Sequence, residues 1–369
     1  MKNKKLIRYK NLKVSKNLET KYIKVFSKFI KSGQYLPSKF VKKFEGEISN
    51  YCKRKYCVGL SSGTNALYLG LKAAGIKKGD EVICPAISWI ATANAIAMTG
   101  ARPVFVDVKL DQTICPLSVA KAINKKTKAI MIVHFTGLLA DYDTIRKIVK
   151  NKKILIIEDA AQAFGAKYKK RRAGNFGDIS ALSFNPMKVL KGFGEAGAVL
   201  CDSKKIYDKI IELRHLGTSA KNPDVCNYIE LNHKIDELQA GLLLESLKNF
   251  RPEANIRKKL ILNYTKKLKS FCIFSDHNVS RSSGYDYQIL IKNRDKLKQY
   301  LESKNIETRI KHSVLMCEQK MFSNEKIMNI KNAKMISKHS LSLPLHKRLS
   351  FAEQRRVISE IKQFYKKIN

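Results

Sequence analysis

Short, mostly apolar runs recur along the first two thirds of the chain, and amphipathic segments separate them. Runs of this kind are typical of strands that are buried on both faces of a parallel sheet. Apolar positions spaced three and four residues apart predict helices between the runs. The runs predict strands at residues 56–60, 81–84, 102–108, 129–134, 154–157, 179–184 and 198–201. The spacings predict helices at residues 18–30, 40–52, 90–99, 117–124, 142–151, 204–213 and 235–247, and a further helix that opens at the turn 61–64 and continues through residue 74.

The alternation of strands and helices predicts an α/β fold, with a largely parallel sheet that helices cover. The chain has 369 residues, which is enough for about two domains. Arg251-Pro252 is a candidate hinge, so we expect a large domain over residues 1–250 and a small domain over residues 251–369. The small domain should contain a strand at 287–291 and end in a helix at 351–368.

One acid and one amine each follow a predicted strand. Asp159 comes directly after the run 154–157 and Glu158, and Lys188 follows the strand 179–184 after Asn185-Pro186. Open α/β sheets bind ligands outside the carboxyl ends of their strands. Pyridoxal phosphate needs a lysine that forms a Schiff base, an acid that keeps the pyridine nitrogen protonated, and donors for its phosphate. Each residue alone has an ordinary explanation, because most lysines are solvated and such acids often cap helices.

A possible phosphate site follows the first predicted strand. Ser61-Ser62-Gly63-Thr64 forms a turn of small residues that opens a helix. A helix start presents free backbone N–H groups and the positive end of the helix dipole. Gly63 would let a phosphate approach closely, and Thr64 would add a hydroxyl. Taken alone, the pattern also fits an ordinary serine-rich helix cap.

The formal net charge is +41, and lysines along the whole chain carry most of it. Such an excess suits a nucleic acid, an anionic membrane or an anionic substrate. No segment combines a basic stripe with a known nucleic-acid reader motif. We therefore expect no nucleic-acid partner and a solvated, lysine-rich surface.

The cysteine, histidine and hydropathy patterns exclude other classes of site. The eight cysteines form no C-x-x-C pair and no secretory signal precedes them, so we expect reduced thiols in a cytoplasmic protein. The seven histidines lack zinc-type spacing, which predicts no metal site. Residues 83–101 carry no charge, but their proline, hydroxyl and amide side chains favour a loop and a buried helix over a membrane span.

A series of motifs occurs in a recognisable order and spacing. The motifs are SSGTNAL at 61–67, GDEVI at 79–83, ATANA at 91–95, PVFVD at 103–107, IEDAAQA at 157–163, GD at 177–178, SFNPMK at 183–188 and DELQA at 236–240. The set resembles the DegT/DnrJ/EryC1/StrS family of pyridoxal-phosphate-dependent sugar aminotransferases, over nearly the whole chain. The resemblance implies a fold-type I architecture, in which a large domain has a mostly parallel seven-stranded sheet between helices and a smaller C-terminal domain is α+β.

The resemblance also implies roles for individual residues. Lys188 would form the Schiff base and move a proton between substrate and cofactor, and Asp159 would pair with the pyridine nitrogen. Further cofactor contacts would be Gln162 at the ring's phenolic oxygen, Trp89 on the ring face, Ser62, Gly63, Thr64 and Ser183 at the phosphate, and Asn232 from the partner subunit of a homodimer with shared active sites. For Trp89, a place in the core is the alternative.

Two positions depart from the family's pattern. The family usually has G-[DE]-G-G after the lysine, and this chain has Gly194-Glu195-Ala196-Gly197. At position 234 the family usually has arginine, and this chain has Lys234. The change replaces a donor that can form two parallel hydrogen bonds with a single point charge. Glu195, Lys234 and His312 are candidate substrate contacts, and a surface histidine is the alternative for His312. Relatives with histidine in place of the lysine dehydrate sugars, so Lys188 favours amino transfer.

The hypothesis is therefore a two-stage amino transfer from L-glutamate to a nucleotide-linked keto-deoxysugar, in the biosynthesis of amino sugars or surface polysaccharides. Two alternatives stay open. One is another fold-type I enzyme that acts on an amino acid. The other is a non-catalytic regulatory protein that binds nucleic acid through its basic surface, which predicts salt-sensitive binding to duplex DNA.

Overall fold

The computed structural model describes residues 5–273 and 278–368, so the outermost ends of the two expected domains lie outside the described residues. The strands are β1 (Tyr56–Leu60), β2 (Glu81–Pro85), β3 (Arg102–Val106), β4 (Thr127–Val133), β5 (Leu155–Asp159), β6 (Lys167–Tyr168), β7 (Arg171–Arg172), β8 (Ile179–Ser183), β9 (Gly197–Cys201), β10 (Gln288–Leu290), β11 (Lys326–Ile327) and β12 (Ser340–Ser342). The helices are α1 (Lys16–Ser32), α2 (Lys39–Cys52), α3 (Gly63–Ala73), α4 (Ala91–Ala97), α5 (Pro116–Ala122), α6 (Tyr142–Ile148), α7 (Lys204–Arg214), α8 (Glu237–Lys248), α9 (Phe250–Leu268), α10 (Arg294–Ser303), α11 (Lys331–His339) and α12 (Phe351–Ile368).

The largest sheet has eight strands in the order β1-β9-β8-β5-β4-β2-β3-β11. Among these described strands, β9 alone runs antiparallel to its neighbours β1 and β8, and the other pairs are parallel. The seven strands expected from the sequence all form. The eighth, β11, comes from the C-terminal third of the chain and pairs with β3. Two residues are too short a run for a hydrophobic pattern to reveal.

The apolar runs are uninterrupted because helices cover the sheet on both faces. Along β4, Ile130 and Ile132 belong to one core, whereas Met131 and Val133 belong to the other. Helices α3, α4 and α7 pack into the core that contains Met131. Helices α2, α5, α6 and α8 pack into the core that contains Ile130. This layering leaves the carboxyl ends of the parallel strands at one edge of the sheet, where α/β proteins bind ligands.

A third core forms the C-terminal unit. Helices α9, α10 and α12 pack there against the antiparallel pair of β10 and β12. Ile7 belongs to the same core and exchanges backbone hydrogen bonds of 2.9 Å with Asn305 and Glu307. Residues 5–14, here called the N-terminal strap, therefore run along the C-terminal unit before α1 packs against α8 of the large unit.

Helix α9 joins the two units as a continuous rod of 19 residues. Phe250 at its start belongs to a core of the large unit, and Tyr264 near its end belongs to the core of the C-terminal unit. The candidate hinge Arg251-Pro252 lies in the first turn of α9, so the start of a helix and not a loop stands at the expected boundary. Proline is tolerated in a first turn because the N–H that it lacks would have no intrahelical partner.

The uncharged stretch at 83–101 forms the end of β2, a loop and the short helix α4. Within the two described ranges, no helix combines the length and the apolar character that crossing a bilayer requires.

Candidate active site

A cavity of about 640 Å³ lies at the carboxyl edge of the large sheet. Its walls come from the start of α3, the loop after β2, the end of β5, the loop after β8 and the C-terminal unit. The structure brings most of the candidate residues to this cavity, namely Ser62, Gly63, Thr64, Trp89, Asp159, Gln162, Ser183, Lys188, Glu195 and His312. Asn232 and Lys234 do not line it.

Asp159 is the last residue of β5 and is buried. One carboxylate oxygen, Oδ1, accepts the backbone N–H of Ala161 at 3.1 Å, and Oδ2 accepts the hydroxyl of Thr92 at 3.0 Å. Burial raises the pKa of Asp159, and the hydrogen bonds from Ala161 and Thr92 and the charge of Lys188 oppose that rise. The carboxyl group is therefore held in one orientation, where a cationic ring nitrogen would relieve the cost of its burial.

Lys188 lies in a turn after β8, where its backbone N–H donates to the carbonyl of Asn185 at 2.8 Å. Its side chain is half-buried, and Nζ lies 5.2 Å from the centre of the Tyr285 ring. Strands β5 and β8 are neighbours, with Asp159 opposite Ala181. This pairing explains why an acid and an amine that are distant in sequence reach the same cavity.

The start of α3 forms a close-packed cradle with the end of β8. Ser62 caps the helix, because its Oγ accepts the N–H of Asn65 at 3.1 Å. A Cβ atom at Gly63 would lie only 2.6 Å from Cβ of Ser183, so the position requires glycine. Backbone N–H groups at the helix start and the hydroxyls of Thr64 and Ser183 line the wall here. Such donors suit a phosphate group.

Gln162 and Trp89 occupy two other parts of the cavity. Oε1 of Gln162 accepts the backbone N–H of Thr136 at 2.8 Å, which fixes the orientation of the amide. Trp89 is 62% exposed, so the alternative of a tryptophan in the core is wrong. Its ring meets His312 edge-on at 6.1 Å between centroids, and it therefore lies at the rim of the cavity.

His312 is a half-buried residue of the cavity wall and not a freely solvated surface histidine. Its backbone has a φ of 56°, a left-handed conformation that costs free energy for a residue with a side chain. The ring also meets Phe135 edge-on at 4.9 Å. Burial and the adjacent charge of Lys311 lower the pKa of His312 to about 4, so the ring is neutral at pH 7.

Sequence reasoning missed a buried ionic cluster next to His312. Asp286 accepts hydrogen bonds of 2.9 Å from Nζ of Lys311, from the hydroxyl of Tyr9 and from the hydroxyl of Ser342. It anchors Lys311, which lines the cavity. Asp159 follows its strand, whereas Asp286 precedes the strand expected at 287–291, so the signal that identified Asp159 does not single out Asp286.

Asn232 is the last residue of a largely exposed segment, residues 215–232, and the half-buried Lys234 follows two residues later. Ile229 in this segment is 98% exposed and Leu231 is 67% exposed. An apolar surface of this kind is typical of a contact with another chain. Within one chain, the two candidate residues therefore stay apart from the cavity that they were expected to serve.

The residues of the cavity fit pyridoxal phosphate. A buried acid is present for the pyridine nitrogen, an amine for the aldehyde, and a side-chain-free helix start for the phosphate. Among the described residues, no group of three or more histidine, cysteine, aspartate or glutamate side chains is arranged to hold a metal ion.

Comparisons with known proteins agree with this fit. Residues 16–362 match the DegT/DnrJ/EryC1/StrS aminotransferase family. The pleiotropic regulatory protein of Geobacillus stearothermophilus is 31% identical over 357 residues, which cover 95% of both chains. The dTDP-3-amino-3,6-dideoxy-α-D-galactopyranose transaminase of Aneurinibacillus thermoaerophilus is 30% identical over 362 residues, 97% of this chain and 98% of that protein. The structure of NtdA from Bacillus subtilis with bound cofactor PMP has a TM-score of 0.90 at 26% identity, over 99% of this chain and 87% of that one.

Proposed function

The chain belongs to the DegT/DnrJ/EryC1/StrS aminotransferase family, and on that premise we propose that it transfers an amino group to a nucleotide-linked keto-deoxysugar with pyridoxal phosphate as its cofactor. The observation that carries this proposal is that Lys188, Asp159 and the start of α3 face one cavity. The Aneurinibacillus relative is a transaminase of a dTDP-linked sugar. The Bacillus structure holds PMP, the amine form of pyridoxal phosphate.

Pyridoxal phosphate, when bound, supplies an electron sink for the carbon that gains or loses the amino group. In our proposal, Asp159 holds a proton on the pyridine nitrogen, which keeps that sink effective. Lys188 anchors the cofactor at rest and then carries a proton to and from the substrate carbon through Nζ. Its position in a turn, half-buried at the cavity wall, allows both tasks.

The other cavity residues would orient the cofactor. Ser62, Gly63, Thr64 and Ser183 would bind the phosphate through backbone N–H groups and hydroxyls. Gln162, whose Oε1 is already engaged by Thr136, would donate its amide N–H to the phenolic oxygen. Trp89 at the rim would cover one face of the ring and exclude water.

We propose L-glutamate as the amino donor and a nucleotide-linked keto-sugar as the acceptor. Both are anions, and the net charge of +41 would draw them towards the protein. Glu195 and His312 lie on the wall where a sugar would be held. Because His312 is neutral at pH 7, it can exchange hydrogen bonds with sugar hydroxyls without an opposing charge.

We also propose a homodimer in which Asn232 reaches the phosphate bound by the other subunit and Lys234 reaches the substrate there. The exposed apolar residues of the segment 215–232 support this arrangement, since a partner would bury them. Because neither residue lines the cavity of its own chain, the site would be complete only in the dimer.

The remaining proposals concern location, pathway and organisation. All eight cysteines are free thiols, which supports a cytoplasmic location. Amino sugars made on nucleotide carriers would serve the assembly of glycans or surface polysaccharides. The division into a large domain at 1–250 and a small domain at 251–369 stays a proposal, with Ile7 and β11 each packing in the other unit.

The test is amino transfer by the purified protein loaded with pyridoxal phosphate. A panel of dTDP-, UDP- and GDP-linked 3-keto and 4-keto sugars is offered with L-glutamate, and the aminated sugar is detected by mass spectrometry. Lys188→Ala should abolish both turnover and the absorption band of the lysine-bound cofactor. Lys205→Ala, on the exposed surface of α7, should retain both. Turnover and an unchanged band in Lys188→Ala would contradict the proposal.

The name of the Geobacillus relative favours one of the alternatives, a regulatory role. That alternative predicts binding to duplex DNA that weakens steeply with salt, and no aminated product. The other alternative, a fold-type I enzyme acting on an amino acid, predicts cleavage of an amino acid without a sugar acceptor. The same panel, with a DNA-binding titration and an assay of amino-acid cleavage, distinguishes all three.

A further inference from the structure

A second cavity, of about 40 Å³, shares Met187, Lys188 and Tyr285 with the wall of the active-site cavity. Its other walls come from the N-terminal strap, the turn after Lys188, the first turns of α9 and the segment 345–347. We call this cavity the basic chamber, after the five basic residues that line it in addition to Lys188, which are Lys10, Lys191, Arg257, His346 and Lys347.

The chamber contains far more positive than negative charge. Glu253 is the one carboxylate among its lining residues, and it forms an ion pair with Lys347. Nζ of Lys10 donates only to the carbonyl oxygens of Tyr285 at 2.5 Å and Leu345 at 3.1 Å. Nζ of Lys191 donates to a carbonyl oxygen of the strap. These ammonium groups therefore have dipolar partners but no direct anionic one among the described residues.

Burial and the neighbouring positive charges lower the pKa values of two of these lysines. Burial lowers the pKa of Lys10 to about 7, and the charges of Lys311, Arg257 and Lys188 act in the same direction against Asp286. Burial likewise lowers the pKa of Lys191 to about 8, with contributions from Lys347 and Arg257. An anion among these groups would relieve the repulsion between them.

Arg257 has buried N–H donors without hydrogen-bond acceptors. Its side chain is 7% exposed, and the buried Nε and Nη2 have no hydrogen-bond partner among the described residues. Nδ1 of His346, in the same wall, is also buried and unpartnered. A buried guanidinium without an acceptor is costly, because the charge has lost its water without gaining a partner.

The size of the chamber limits what can meet this demand. One water molecule needs roughly 10–15 Å³ of such space, so the chamber, at about 40 Å³, has room for a few water molecules or for one small anion. A monatomic anion satisfies both the volume and the charge, and the net charge of +41 would concentrate anions around the protein.

We propose that the basic chamber binds one halide ion, chloride in a cell, between the guanidinium of Arg257 and the ammonium groups of Lys10 and Lys191. The ion offsets part of the positive charge of the basic residues that line the chamber together with Lys188. It also ties together the strap, the turn after Lys188 and α9, which all contribute to the chamber.

Bromide gives a direct test, since it replaces chloride and scatters anomalously. Crystals of the cofactor-loaded protein prepared in sodium bromide should show an anomalous peak in the chamber, within hydrogen-bond distance of Arg257. Density for a water molecule alone, without an anomalous signal, would overturn the proposal. This measurement needs no variant, so it is informative even if substitutions in the chamber impair folding.

A solution experiment tests the same site without crystals. The thermal midpoint of the cofactor-loaded protein is measured in sodium chloride and in sodium gluconate of equal ionic strength. Chloride should raise the midpoint by roughly 2 °C more than gluconate, with saturation. Arg257→Met should lose this difference, and Arg355→Met, the same change on the exposed face of α12, should keep it.

Two outcomes of the solution experiment would count against the chamber. A difference between chloride and gluconate that keeps growing with concentration, without saturation, would indicate a non-specific effect of the salt on the protein surface. A chloride effect that survives in Arg257→Met would place the ion elsewhere. Amino transfer is measured on the same samples, so a failure of the proposed reaction remains distinguishable from a failure of the halide site.

Discussion

Two adjacent acids at the end of β5, Glu158 and Asp159, have pKa values shifted in opposite directions. Side chains alternate along a strand, so Glu158 faces away from the cavity that Asp159 lines. Burial disfavours the charged form of Glu158. Hydrogen-bond donors around its carboxylate outweigh that effect and lower the pKa of Glu158 to about 2. The donors include the ring of His134 at 2.9 Å, the hydroxyl of Ser180 at 2.6 Å and the N–H of Gly174 at 2.8 Å. Glu158 is therefore a charged structural clamp directly behind a candidate catalytic acid.

We expect Glu158 to make the free energy of unfolding depend on pH in the acidic range. The pKa of Glu158 falls from an ordinary 4.5 to about 2 on folding, so its contribution is complete above pH 4.5 and disappears as the pH falls to about 2. Glu158→Gln should lower the free energy of unfolding at pH 7 by about 3 kcal/mol. Urea titrations at several pH values measure both effects. A variant as stable as the wild type at pH 7 would contradict the assignment.

Asp286 and Lys311 form a second test at this scale. Burial opposes ionisation of Asp286, but Lys311 and Lys10 hold its pKa well below the ordinary range. Asp286→Asn should destabilise the protein by about 3 kcal/mol, because it leaves the ammonium of Lys311 without its anionic partner. The double variant Asp286→Asn/Lys311→Met should regain part of that loss, since neither charge is then unpaired. Equal stabilities of the single and double variants in urea would show that the ion pair is not what matters.

At the residue scale, the sequence identified those site residues that adjoin uninterrupted apolar runs. Asp159 and Lys188 were found because each follows a strand that its composition reveals. The cluster around Asp286 was not found, because Tyr9 approaches it from 277 residues away and no local pattern encodes that contact. Lys10 and Arg257 were missed for a related reason, since a basic residue carries little information in a lysine-rich chain.

The junction of α3 with β8 is the element on which the phosphate cradle depends. Gly63 lets the helix start pack directly against Ser183. Gly63→Ala should push the two elements apart and weaken binding of pyridoxal phosphate about ten- to a hundredfold, from a steric cost of about 1–3 kcal/mol. Fluorescence titration of the cofactor-free protein with pyridoxal phosphate measures the change.

Gly46 in α2 provides the matched control. It is exposed, and a Cβ there would meet nothing within 4 Å. Gly46→Ala should leave cofactor binding unchanged and stabilise the helix by about 0.5–1 kcal/mol. If both variants bound the cofactor like the wild type, the start of α3 would not be the phosphate site.

At the scale of elements, the sequence predicted the large unit well and the small one poorly. Strand β1 and helix α12 have the bounds expected for them, and the other long elements differ by a few residues at their ends. Strands β6, β7, β11 and β12 were not predicted, because two or three residues cannot show a period. At the expected boundary Arg251-Pro252 the structure has the start of α9, because proline marks a helix start as readily as a break.

The whole molecule offers a test of the proposed dimer. Asn232→Ala and Lys188→Ala should each be inactive, because each removes one contribution to every active site. Mixed and exchanged, the two variants should recover up to about a quarter of the wild-type activity, since half of the dimers would be mixed and each mixed dimer would hold one intact site. Steady-state turnover after subunit exchange is the measurement.

The control for this experiment is each variant exchanged with itself, which should stay inactive. Recovery would require that Asn232 of one chain and Lys188 of another meet in the same cavity. Absence of recovery between subunits that demonstrably exchange would mean that each chain completes its own site. Sedimentation velocity on the mixture shows whether exchange has occurred.

The N-terminal strap has a consequence for how the molecule is made. The backbone N–H of Tyr9 bonds to Glu307, which is 298 residues later in the chain. At a synthesis rate of about 5–20 residues per second, the ribosome needs roughly 15–60 s to supply that partner. During this interval Ile7 and Tyr9 have no groove to occupy, so the nascent chain carries an apolar flap that a chaperone can capture. The strap is thus translated well before its binding groove and is among the last segments of this chain to reach its native place.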